Sequence, residues 1–88
     1  MEDKINTYFG FAIKKRSIIF GIDNILKSKN EMVVFVSNDL SINSCDKLKN
    51  IGISYFVIDM PMVLKNRGVK AVAVTDKNLA EAILNIIK

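Results

Sequence analysis

Three aspartates, Asp39, Asp59 and Asp76, each closely follow an apolar run in this 88-residue chain. Where such runs are strands of an open α/β sheet, their carboxyl ends are where ligands bind. Three carboxylates gathered there would hold Mg²⁺ and accept a phosphoryl group. The simpler chemistry is local: an aspartate at a strand-to-helix junction caps the helix, satisfying its free N–H groups and its dipole. A second constellation is Gly21-Ile22-Asp23-Asn24-Ile25-Leu26-Lys27. It combines a glycine, a carboxylate, an amide and, one turn on, a lysine. Glycine lets a backbone approach a phosphate closely, and the N–H groups of a helix start can bind that phosphate. The same residues also make an ordinary turn into a helix.

Other reactive groups are few. The chain has no histidine and one cysteine, Cys45. Imidazole metal ligands, histidine-based triads, intrachain disulfides and cysteine-built metal sites are therefore excluded. Cys45 sits at helical spacing with Ile42 and Leu48, so it is expected to be a buried, inert packing residue. No Walker-type loop and no G-x-G-x-x-G is present. No catalytic residue, metal site or cofactor is expected. The basic residues fall in three groups beside turns: Lys14-Lys15-Arg16, Lys27 with Lys29, and Lys65-Arg67-Lys70. They read as solvated helix ends, or together as a surface that tracks a phosphate backbone. A net charge of +4 is compatible with nucleic acid without requiring it.

The elements that must position these residues alternate in type. Ile5, Tyr8, Phe9, Ala12 and Ile13 form one stripe of an amphipathic helix. Ser17–Phe20 is a short strand, and Ile22, Ile25 and Leu26 begin a second helix ending near Asn30. Met32–Val36 is a continuous β-branched and aromatic run suited to a central strand buried on both faces. Ser41 caps a third helix with Ile42, Cys45 and Leu48 inward, stopped at Gly52. Ile53–Ile58 is another buried strand. Asp59 and Pro61 open a short helix closed by Gly68. The segment 69–75 is the last strand. Asp76 caps the last helix, with Leu79, Ala80, Ile83, Leu84 and Ile87 inward. The sum is one α/β domain spanning residues 1–88. It is a three-layer α-β-α sandwich with about four strands in a mostly parallel, mixed sheet and about five helices. No run is long enough for a membrane span and the start lacks a secretory layout, so a cytoplasmic monomer is expected.

The order of elements and the phrases "GIDNILK", "VVFVSNDLS", "SYFVIDMPMVL" and "KAVAVTDKNLAEAI" resemble the ribosomal-protein superfamily L-seven-Ae / L-thirty-e, and within it the small bacterial ribosomal-protein-like members. The resemblance runs from about Ile5 to Ile87. It implies an α-β-α sandwich that binds structured RNA, ribosomal RNA first and kink-turns in particular, without catalysis. Family members carry G-x-N-E-x-x-K at the second helix start; here Gly21 and Lys27 match and Asp23-Asn24 replaces Asn-Glu. By that resemblance Gly21 approaches the backbone, Asp23 and Asn24 read base edges, and Lys27 meets a base or phosphate. Asn38 supports the site, and Met60 and Met62 pack on an unstacked base. A different class of function, a protein-interaction module, is carried by the same fold in this superfamily.

Overall fold

A computed structural model of the chain describes residues 4–28 and 33–87. It contains helix α1 (Lys4–Lys14), strand β1 (Ile18–Phe20), α2 (Ile22–Lys27), β2 (Val33–Ser37), α3 (Ile42–Asn50), β3 (Tyr55–Ile58), α4 (Met62–Lys65), β4 (Ala71–Val74) and α5 (Lys77–Ile87). Met32, Lys29 and the expected helix end at Asn30 lie outside the described residues.

Strand alternation builds two cores. Successive side chains of a strand point to opposite faces. Phe35, Val72 and Val74 therefore join Phe9, Leu64, Ala80 and Ile83 on the side of α1, α4 and α5. Val34, Val36, Ala71 and Ala73 join Ile25 and Leu48 beneath α2 and α3. Phe9 meets Phe35 edge-to-face, with ring centroids 5.5 Å apart, a favoured aromatic geometry. The stripe on α1 seats as its spacing predicts: Phe9 and Ala12 are fully buried, with Ile5, Tyr8 and Ile13 packed around them. The α-β-α architecture read from the sequence is the one observed.

The sheet is mixed, in the order β1-β4-β2-β3. Only β2 and β3 pair in parallel; β4 runs antiparallel to both its neighbours, β1 and β2. The sheet is therefore mixed, as expected, with one parallel and two antiparallel pairings among the described strands. A run such as Ala71–Val74, buried at every position, is a central strand whichever way it points, so its composition carries no direction. The strands β1, β2 and β3 still share one direction, and β4 lies between β1 and β2 against them.

Three burial expectations are corrected. The strand β3 is an edge strand, with Phe56 41% and Val57 57% exposed rather than buried. Ile42 does not face inward on α3; it is 77% exposed, and Leu48 alone is fully buried there. Cys45 is only half-buried. A hydrogen bond with its thiol, and after it burial, raises the Tyr55 phenol above its ordinary pKa.

Candidate functional site

The topology decides which residues meet. Because β4 opposes its neighbours, the carboxyl ends of β1, β2 and β3 share one rim of the sheet with the start of β4. Across that rim lie Gly21 after β1, Lys70 before β4, Ser37-Asn38-Asp39 after β2 and Asp59 after β3. Two backbone bonds fix the order: Gly21 N donates to Ala71 O at 2.9 Å, and Ser37 N donates to Lys70 O at 2.7 Å.

Gly21 sits at φ 86, ψ 148, a mirror-extended conformation that is essentially glycine-only. It heads α2 without a side-chain cap, so Asp23 is not the cap of this helix. Asp23 and Asn24 are exposed in its first turn. Asn24 reaches back, its Nδ2 donating to Phe20 O at 2.9 Å, which ties the helix start to the end of β1. Lys27 is exposed at the far end of α2, roughly 9 Å along the axis from the glycine at 1.5 Å per residue.

The turn after β2 is internally bonded. Ser37 Oγ donates to Asp39 Oδ1, and Lys70 Nζ stands 3.7 Å from Asp39 Oδ2. The Ser37 hydroxyl first, and the Lys70 ammonium after it, hold the Asp39 carboxyl below its ordinary range. Asn38 Nδ2 donates to Asp59 Oδ1 at 2.5 Å, linking the turns after β2 and β3. The cap of α3 is Ser41, whose Oγ accepts from Ser44 N at 3.2 Å.

Among the expected site residues, Gly21, Asp23, Asn24 and Asn38 share this rim. Met60 does not. It is 5% exposed and belongs to the core with Phe35 and Leu64, so it cannot pack on a base. Met62 is 62% exposed, but it stands on the β3 side. About three strand spacings, roughly 14 Å, separate that edge from Gly21. There it lines an open groove of about 1240 Å³ with Tyr8, Phe11, Asp59, Pro61 and Ile86.

The three aspartates do not gather either. Asp76 follows β4 and so lies at the opposite end of the sheet, where it caps α5 and pairs with Lys15 Nζ at 2.5 Å. Only Asp76 acts as the helix cap that was expected of all three. Among the described residues no group of three or more His, Cys, Asp or Glu is placed to hold a metal ion. The basic groups divide in the same way, Lys15 going to the far end and the turn between α4 and β4 to the rim.

That turn is what sequence reasoning misplaced. Lys65-Arg67-Lys70 is visible as a basic group, but nothing local says it returns beside Gly21. In the structure the Arg67 guanidinium lies 5.4 Å from the Phe20 ring centroid, a cation–π distance, at the end of β1. The rim thus offers two cations (Arg67, Lys70), two amides (Asn24, Asn38) and three carboxylates (Asp23, Asp39, Asp59). Cations meet phosphates; amides and carboxylates pair with the donors and acceptors of base edges. No helix among the described residues is long and apolar enough to cross a membrane.

No family model matches the chain, and no curated protein matches it. Among solved structures it is similar to a protein of unknown function from Bacillus halodurans C, with 21% identity, a TM-score of 0.79 and 98% of each chain covered. That likeness establishes an α/β fold shared over nearly the whole chain.

Proposed function

We propose that the protein is a non-enzymatic, cytoplasmic RNA-binding protein that grips structured RNA, ribosomal RNA first, along the rim of Gly21, Asn38 and Lys70. The observation that carries this reading is the seat of β4 between β1 and β2. It sets Arg67 and Lys70 against the glycine turn whose residues resemble the kink-turn signature. Gly21, whose own N–H and C=O are bonded within the fold, leaves open the space a side chain would fill, since an added Cβ would meet no atom within 4 Å, and a phosphate can approach the start of α2 there. Lys70 and Arg67 neutralise neighbouring phosphates, and Asp23 and Asn24 present a carboxylate and an amide to base edges. The sheared G·A pairs of a kink-turn offer guanine N–H donors that such a carboxylate accepts. Lys27, farther along α2, extends the contact.

The test is a titration of a kink-turn RNA and an unkinked duplex at fixed salt. The double substitution Asp23→Asn, Asn24→Glu restores the family order without changing net charge. It is expected to tighten kink-turn binding by the worth of one or two base contacts, about 1–3 kcal/mol each. Lys27→Ala is expected to weaken it. If none of these proteins binds either RNA more tightly than a basic control protein of equal charge does, the rim is not an RNA site. The protein-interaction reading then replaces it.

A further inference from the structure

The two edges of the sheet are finished differently. The edge at β1 is three residues long, and the Arg67 guanidinium stands over its last ring. The edge at β3 has no such device. Among the described residues no strand pairs with its outer side, and residues 53–58, Ile-Ser-Tyr-Phe-Val-Ile, carry no charge and no proline. Charges, proline and bulges are how proteins keep an edge from pairing with another chain.

Part of the exposed apolar surface lies at the same edge. Of the large hydrophobic side chains left exposed, Phe56 and Val57 stand on β3, and Ile51 (54%) lies just beyond the end of α3. Alternation sends Phe56 toward the α1 face, where its ring lies 6.0 Å from that of Phe35. Val57, like Tyr55, faces the α3 layer. Both faces of the edge are therefore apolar.

We infer that β3 is a self-association edge, pairing antiparallel with β3 of a second copy to make one continuous eight-stranded sheet. A second copy is the occupant these features select. An uncharged edge gives a charged peptide nothing to recognise, whereas a strand related to itself by a two-fold axis always matches its own backbone donors and acceptors. Face matching restricts the register. With the axis normal to the sheet, opposed residues must share a face, so the axis passes through a residue and not between two. Centring on Phe56 sets Phe56 against its own symmetry mate and Val57 against Tyr55 of the other copy. Centring on Val57 instead sets Tyr55 against Asp59. The first pairs aromatic with aromatic and leaves no carboxylate facing a ring. A four-residue strand makes a contact only about 13 Å long. With a sheet about 10 Å thick, such a strip covers on the order of 100 Å², far below the roughly 800 Å² per partner of a standard interface, so association is weak and concentration-dependent. The two RNA-facing rims of such a dimer open in opposite directions.

Sedimentation velocity over a dilution series, from millimolar to low micromolar protein, reads the association. The native chain is expected to shift from dimer to monomer on dilution. Phe56→Lys and Val57→Lys, both at exposed positions and checked for native circular dichroism, are each expected to stay monomeric. For the register, Phe56→Cys in a Cys45→Ser background is expected to form an intermolecular disulfide under mild oxidation at least tenfold faster than a cysteine at exposed Lys77. A native chain that is monomeric throughout overturns the inference, as does a dimer that survives both lysine substitutions. Crosslinking at position 56 no faster than at position 77 overturns it as well.

Discussion

Asp76 accepts from Leu79 N at 3.1 Å and from Lys15 Nζ at 2.5 Å. Lys15 first, and the helix N–H after it, hold its carboxyl below the ordinary value of 3.8. A carboxylate whose pKa is depressed on folding adds stability above the unfolded value and loses it as pH falls through the folded one. Asp76→Ala is therefore expected to lower the thermal midpoint at pH 7. The gap to the native chain is expected to narrow toward pH 2, as the carboxylate takes up its proton below the ordinary range. Thermal unfolding followed by circular dichroism at the two pH values checks this; an equal gap at both would show that the ion pair and cap are not the source. Met60 and Met62 give the complementary comparison. Met60 is packed among Phe35, Leu64 and their neighbours, so Met60→Ala is expected to cost about 2–5 kcal/mol in denaturant unfolding. Exposed Met62→Ala is expected to stay within about 0.5 kcal/mol. The sequence does hold the signal that separates them. Ile58 and Met60 are two residues apart, on the side that strand alternation turns inward, and Met62 begins the next helix.

At the level of elements, the turn between β1 and α2 depends on backbone conformation more than on space. A Cβ at Gly21 meets nothing within 4 Å, yet φ is +86. Gly21→Ala is expected to cost about 1–3 kcal/mol, the penalty of an L-residue in that region. Denaturant unfolding measures it; a neutral substitution would mean the turn relaxes. The existence and kind of each element are legible in the sequence because hydrophobic period, Ser41 and Asp76 as caps, and positive-φ glycines are local signals. The seat of β4 is not, since it depends on pairings from Ile18↔Val74 to Val36↔Ala71 across long chain separations. The burial of β3 is misread for the same reason. An apolar tetrad looks alike in the centre of a sheet and at its edge, and only the strand order leaves Phe56 and Val57 in solvent. The rim inherits this division: Gly21 and Asn38 are found from local phrases, whereas Arg67 and Lys70 join them only through the position of β4.

For the whole molecule, the net charge of +4 is spread over both ends of the sheet, and that spread separates a site from a merely basic surface. Lys70 and Arg67 stand at the rim, and Lys15 stands at the opposite end bound to Asp76. Each cation that meets a phosphate releases a counterion, so its removal lowers the slope of log affinity against log salt by about one. Lys70→Ala and Arg67→Ala are each expected to flatten the slope by that amount for a structured RNA, while Lys15→Ala leaves it unchanged. Asp39 engages Lys70 at 3.7 Å and would oppose a phosphate bound there. Asp39→Asn is therefore expected to raise affinity, most at low salt, where charges several ångströms apart are least screened. Binding of one RNA by the four variants across a salt series reads all of this together. If Lys15→Ala flattens the slope as much as Lys70→Ala, the contact is diffuse attraction to a basic protein, and the rim holds no particular RNA.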